Sequence, residues 1–367
     1  MLCVIRPRRP VAVAVLVTLI AGIGAFGPGL RAAPASAACT DSNDEAAQLA
    51  VTVDKQRASG WVALPAGKPK GIVAFAHGYG HSGLSWVHHI RWAARELGVI
   101  AVAMDYRGAK MSPPKKDGDL PSSRGWNVSA GAADTIAASR LYEACVPDAV
   151  NVIFGVSMGG NTSGLIVADG PQRAGGKRPL FDYWVDVEGV TNVISTYLSA
   201  RAVAPYLETA RNATEDISAE MGGPIEAVPQ VYLERSIVTR GEDIAAGGLK
   251  GVVMVHGVED GTVGYDQTRE MAAVLDDVGV PAQVFTVLRK NSQSERDSTY
   301  SSYVGNLADP KYKSPFAGHA SEKSTVHSVM KTALERLVAL YAGEVPECRS
   351  EHVVDGESPP SPAPGPC

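Results

Sequence analysis

One serine in this chain lies between glycines at a spacing suited to nucleophilic chemistry. It belongs to Gly155-Val156-Ser157-Met158-Gly159, directly after the apolar run 149–154. A serine in a tight strand-to-helix turn takes a strained backbone, and only small residues two positions to either side avoid a clash. Such a turn lifts the hydroxyl above the carboxyl end of a sheet, at the N-terminus of the next helix. The bland alternative is a glycine-rich turn needed only for close packing. A serine hydroxyl is a weak nucleophile unless a base takes its proton and an acid orients that base. The acid is expected after a later strand, and "VVMVHGVEDGTV" offers Asp260 there, with Glu259 beside it and Asp186 on an earlier strand as alternatives. Asp260 is preferred because a Gly-Thr-Val turn follows it directly. Three histidines come late enough to be the base: His319, His327 and His352. His352 falls in the tail and His327 in the last helix, whereas His319 follows Gly318 in a loop ahead of that helix. His319 is therefore the preferred base. Attack on an acyl carbonyl creates an oxyanion, which backbone N–H groups must meet. Met158 supplies one, and Tyr79, in His77-Gly78-Tyr79-Gly80 after an apolar run, supplies the other.

These residues need a scaffold that brings several strand ends together. The runs 71–78, 99–108, 149–154, 181–190, 251–257 and 282–288 are nearly all apolar, as strands buried on both faces are. Between them, 86–98, 128–145, 265–279 and 324–343 have helical spacing, several closing on glycine. Two half-exposed strands, 50–56 and 59–67, precede the first buried one. Buried strands alternating with helices imply a mostly parallel α/β sheet covered by helices on both sides. Residues 191–248 are too long for one crossover and read as an inserted helical cap. Residues 289–318 are polar and irregular, and so long a loop is usually functional.

The chain has 367 residues, 45% hydrophobic and 20% charged. That is globular composition. The formal charge is −5 and no basic block follows the N-terminus, which argues against a nucleic-acid partner. The first 37 residues read as a secretory signal: arginines at 6, 8 and 9, an apolar stretch, then Ala35-Ser36-Ala37 as the cleavage site. The apolar stretch is short for a membrane anchor, so no stable anchor is expected after cleavage. Removing this segment takes away four arginines and no acid, and the formal charge falls from −5 to −9. The expected location is extracellular or periplasmic, in the cell envelope. Cys39, Cys145, Cys348 and Cys367 then remain, an even number that suggests two disulfides among three pairings. No metal-ligand spacing or cofactor motif occurs, so no metal or cofactor is expected. The domain plan is a signal at 1–37, one catalytic domain at 38–347 and a Pro-rich tail at 348–367, whose residues 355–367 are expected to be extended and solvated. No pattern in the sequence sets the oligomeric state.

The stretches "AHGYG" (76–80), "DYRG" (105–108), "GVSMGG" (155–160), "VHGVEDGTV" (255–263) and "GH" (318–319) together resemble the α/β-hydrolase superfamily. The resemblance covers nearly all of residues 50–343, and the order serine, aspartate, histidine is that superfamily's order. Residues 235–279 are similar to prolyl-oligopeptidase-type (S9) catalytic domains. The chain departs from these in having too few residues before the first central strand for a β-propeller, and in its long 289–318 segment. The resemblance implies an α/β-hydrolase fold and the triad Ser157, Asp260 and His319. Four activities fit that reading. The chain is expected to cleave carboxylic esters through an acyl-enzyme. A serine peptidase acting on small peptides would use the same groups, and could recognise a substrate's amino terminus with Glu215, Asp216 and Glu220, although these also read as a solvated helix face. An acyltransferase and a non-catalytic binding protein are the remaining alternatives.

Overall fold

The computed structural model describes residues 38–42, 45–114, 120–288, 318–324 and 327–355, and the backbone of 361–362. Its strands are β1 (Ala47–Val53), β2 (Gln56–Ala63), β3 (Gly71–Ala76), β4 (Ile100–Met104), β5 (Lys110–Ser112), β6 (Ser122–Arg124), β7 (Val150–Val156), β8 (Tyr183–Val187), β9 (Gly251–Gly257), β10 (Ala282–Val287), β11 (Ser350–Val354) and β12 (Ser361–Pro362). Its helices are α1 (Val87–Trp92), α2 (Val128–Arg140), α3 (Met158–Asp169), α4 (Val193–Val203), α5 (Glu208–Met221), α6 (Pro229–Arg235), α7 (Gly241–Gly247), α8 (Tyr265–Asp277) and α9 (Ser328–Ala342).

Ten strands form one sheet in the order β1-β2-β4-β3-β7-β8-β9-β10-β11-β12. From β4 to β11 every pairing is parallel, while β2 runs antiparallel to β1 and β4. Side chains alternate across the parallel strands into two apolar layers. Val73 and Phe75 of β3 meet Trp86, Ile90 of α1 and Leu337 of α9 on one face. Ile72 and Ala74 meet Val128 of α2 and Leu165 of α3 on the other. Strands β3, β4, β8 and β9 are buried throughout, which is why they read as unbroken apolar runs rather than alternating ones.

The chain leaves β3 outward to β4 and then returns to β7 on the other side of β3. In open α/β sheets such a reversal point is where ligands are commonly bound, outside the carboxyl ends of the strands. The loops carrying Tyr79 and Ser157 leave the sheet at this point.

Several details differ from the sequence reading. The strand expected over 50–56 ends at Val53, and a two-residue turn at Asp54-Lys55 joins β1 to β2, both turn residues having positive φ (50° and 65°). The last helix begins at Ser328 rather than at 324. Within the tail, Ser350–Val354 pairs in parallel with β10 on one side and antiparallel with β12 on the other, with Val354 buried at its end, while residues 356–360 and 363–367 lie outside the described residues. The span 191–248 holds four helices, but α7 packs on α3 as an ordinary flanking helix, so only α4–α6 stand apart from the sheet layers. The long segment expected over 289–318 lies, up to residue 317, outside the described residues, as does the signal at 1–37. A disulfide joins Cys39 to Cys145 across 106 residues, with Cα atoms 5.6 Å apart. Cys348 is disulfide-bonded as well, and Cys367 lies outside the described residues. Among the described residues, no helix is long and apolar enough to cross a membrane.

Candidate active site

Ser157 occupies the turn between β7 and α3 with φ 56° and ψ −122°, the left-handed strain expected there. The flanking glycines explain how the turn closes. A Cβ on Gly155 would lie 2.2 Å from the Gly159 carbonyl, and one on Gly159 would lie 2.1 Å from the Ala76 carbonyl. The strain is held by neighbours. The Ser157 N–H donates to the Val187 carbonyl at 3.0 Å, and the Ser157 carbonyl accepts from Gly160 at 2.8 Å and Val190 at 3.0 Å. The turn after β8 thus braces the elbow from both sides.

The loop after β3 lies against this serine. A Cβ on Gly78 would be 3.3 Å from Ser157 Cβ. The His77 ring stacks on Tyr106, with centroids 3.9 Å apart, and burial lowers its pKa to about 4, so it is a neutral packing group. The Gly78 N–H donates to Glu322, whose other oxygen meets His81 Nδ1. Burial alone would raise the Glu322 carboxyl, but the His81 partner outweighs it and brings the pKa to about 2. Met158 is the first residue of α3, and its N–H has no acceptor within the helix. The Tyr79 N–H meets no acceptor among the described residues.

The acid and the base come together across 59 residues. His319 Nδ1 lies 2.6 Å from Asp260 Oδ2. An ionised carboxylate only accepts, so Nδ1 carries the proton and Nε2 is left as the basic nitrogen. Asp260 Oδ1 accepts from the backbone of Thr262 at 2.7 Å and Val263 at 3.0 Å, which is what the Asp-Gly-Thr-Val turn provides. His256 Nε2 lies 3.4 Å from Oδ2. Burial works against the Asp260 charge, but His319 and His256 hold its carboxyl well below the usual range. Burial likewise lowers His319, yet Asp260, then Glu188 and Glu322, raise it to about 9.

The other candidates occupy different places. Asp186 is buried in β8, its carboxyl against Gly160 and Gly189. His327 is buried at the N-cap of α9, its N–H donating to Ser324 Oγ at 2.9 Å. His352 lies in β11, stacked on Phe285. Of Glu215, Asp216 and Glu220 on α5, Glu215 is exposed, whereas Asp216 and Glu220 are partly buried and engaged. Asp216 takes the Tyr79 hydroxyl, the Gly125 N–H at 3.0 Å and the Arg124 guanidinium, and Glu220 takes the backbone and hydroxyl of Ser129. Helix α5 docks through buried Ala210, Ile217 and Met221, with Asp216 and Glu220 adding polar ties.

Sequence reasoning missed Glu188. It follows β8 at φ 48°, fully buried, with Oε2 3.6 Å from His319 Nδ1. A charged residue ahead of a glycine at the end of a buried strand was its only signal. It missed Glu322 too, because the Gly78 partner lies 244 residues away. Glu188, Asp260 and His319 are also the one group among the described residues whose ligand atoms, within 4.8 Å of one another, could hold a metal ion. As arranged, the Nδ1 proton bonds to Asp260, and Glu188 stands beside that pair at 3.6 Å.

No family model and no curated protein sequence matches the chain. Solved structures do match in fold. A carboxyl esterase from Bacillus coagulans is 15% identical, with a TM-score of 0.52 over 82% of this chain and 98% of that one. The acylaminoacyl peptidase of Pyrococcus horikoshii is 15% identical, with a TM-score of 0.51 over 83% of this chain and 42% of that one. A puromycin hydrolase mutant is 16% identical, with a TM-score of 0.51 over 83% of this chain and 40% of that one. The chain therefore spans less than half the length of the two larger proteins and nearly the whole esterase. Sheet, order of elements and neighbours together define the fold as that of the α/β-hydrolases.

Proposed function

We propose that this protein is an exported serine hydrolase that cleaves carboxylic esters through an acyl-enzyme on Ser157. The Asp260–His319 hydrogen bond, linked to the Ser157 turn through the backbone of Val187 and Val190 and the Glu188 carboxylate between them, carries this reading. Ser157 Oγ attacks the acyl carbon as its proton passes to His319 Nε2. Asp260 receives the Nδ1–H and stabilises the imidazolium. The N–H groups of Tyr79 and Met158 meet the oxyanion. Collapse releases the alcohol, which takes the proton from His319. Water then attacks the acyl-enzyme with His319 as base, freeing the acid and restoring Ser157. This chemistry needs no cofactor. Helices α4–α6 serve as the cap, and Gln267 of α8 steadies their stem by accepting the Asn192 N–H at 2.9 Å and donating to Thr196 at 2.9 Å.

An ester substrate is favoured because the α5 acids are already engaged by Tyr79, Arg124, Gly125 and Ser129. They are not free to grip a substrate's ammonium group. Export is supported by the Cys39–Cys145 disulfide, a bond that persists in oxidising compartments. The competing reading, a peptidase acting on small peptides, draws on the fold's likeness to puromycin hydrolase and acylaminoacyl peptidase. Turnover of short and long p-nitrophenyl esters beside aminoacyl-p-nitroanilides separates the two, with Ser157→Ala as control. Ester turnover lost in the variant supports the proposal, anilide turnover replaces it with the peptidase, and equal inertness without fluorophosphonate labelling of Ser157 would overturn both.

A further inference from the structure

The turn after β8 touches the Ser157 turn, the strand leading to Asp260 and the loop of His319. Its Val187 carbonyl and Val190 N–H bond to Ser157. Between them, Glu188 Oε1 accepts from the Gly257 N–H at 3.1 Å, on the strand that leads to Asp260. Glu188 Oε2 accepts from the Ala320 N–H, next to His319, and lies 3.6 Å from His319 Nδ1. We propose that Glu188 is a second acid for His319: a positioning residue that orients the imidazole alongside Asp260 and sustains part of its function when Asp260 is removed. This rests on the serine-hydrolase reading above.

Three observations carry it. The carboxylate is fully buried, and a buried anion is costly unless it answers a positive charge. The imidazolium formed when Ser157 loses its proton is such a charge. Two backbone N–H bonds fix both oxygens, so the group cannot swing away to water. The residue also keeps a left-handed backbone, φ 48°, a conformation that non-glycine residues adopt only where their surroundings hold them there. The groups facing this pair are Asp260 and His256 from β9 and its turn, and Glu322, itself faced by His81. Burial first, and then the Asp260 charge, push Glu188 up to about 7. It therefore gains its charge in the range where His319 must work.

The test is the pH profile of kcat/KM for p-nitrophenyl acetate in wild type, Glu188→Gln, Glu188→Asp, Asp260→Asn and the Asp260→Asn/Glu188→Gln double variant. Fluorophosphonate labelling and Tm check folding, and Ser157→Ala checks the reaction. Loss of the Glu188 charge lowers the His319 pKa, so the acidic limb should move down by about half a pH unit or more in Glu188→Gln. Glu188→Asp, which keeps the charge, should hold the limb near its wild-type position. Asp260→Asn should keep a Ser157-dependent residual rate that falls a further tenfold or so in the double variant. A slower Glu188→Gln enzyme with an unmoved limb would show packing alone and overturn the proposal. So would a double variant no slower than Asp260→Asn, a comparison that stands even if Glu188→Asp fails to fold. A wild-type rate that survives Ser157→Ala would instead sink the hydrolase reading, and this proposal with it.

Discussion

The Tyr79 hydroxyl donates to Asp216, 137 residues further along the chain, so the loop proposed to offer an oxyanion N–H is tied to helix α5. Arg124 clasps the same carboxylate from the other side at 3.2 Å. Movement of α5 is thereby coupled to the position of the Tyr79 backbone.

Asp216→Ala should slow ester turnover without abolishing it. The variant removes the tether but leaves the Tyr79 N–H in the chain. A net loss of about 1 kcal/mol per hydrogen bond corresponds to about a fivefold fall in kcat. Steady-state kinetics on esters of several chain lengths would check it. A change in KM alone, with kcat unmoved, would show that α5 shapes the pocket but does not position the loop.

His319 and His327 make opposite predictions. His319→Ala should lower kcat by about 10³-fold or more while the fold is retained, since it removes the base. His327→Ala removes a ring buried at the start of α9, so it should lower the Tm and leave kcat within about fivefold. Thermal melts and kinetics on the same preparations decide between them, and the reverse pattern would move the base to His327.

The pH profile should be alkaline. A general base must be neutral to accept the serine proton, and His319 stays protonated up to a pKa raised from 6.5 to about 9. The active form therefore grows as pH rises, and kcat/KM should climb steadily between pH 7 and 9. A plateau already reached at pH 7 would mean that the imidazole does not feel both carboxylates.

Asp186→Asn should stabilise the protein at high pH. Burial raises the folded Asp186 pKa from 3.8 to about 7, so the folded state holds the proton more tightly than the unfolded chain. That contribution is full below 3.8 and is lost as pH rises through 7. An uncharged amide escapes the loss, so the Tm gain should be largest near pH 8 and vanish near pH 4. It should amount to about 2–4 °C for each kcal/mol recovered. Equal Tm differences at both pH values would contradict this.

Much of the site was legible in the chain because its signals are local. Gly155 and Gly159 flank Ser157 within one turn, and the Asp260 turn supplies its own backbone donors within three residues. The buried strands announced themselves as apolar runs. Chain order alone placed His319 after the acid. What sequence could not reach depends on partners far apart in it. Glu322 meets Gly78 across 244 residues, and Glu188 meets Ala320 across 132. A carboxylate carries no mark of which N–H it will find, because that is settled by how the strand-end loops converge beside the carboxyl ends of β3 and β7. The α5 acids show the same limit in reverse. Their polarity suggested solvent, but the packing of α5 over residues 122–129 made Asp216 and Glu220 partly buried acceptors. By itself the sequence carried the glycine-flanked turn at Ser157, the Asp-Gly-Thr-Val turn at Asp260 and the chain order Ser157, Asp260, His319 of the proposed triad. Only the tertiary structure decided which second carboxylate stands behind His319, since burial and proximity arise from the packed sheet and not from spacing along the chain.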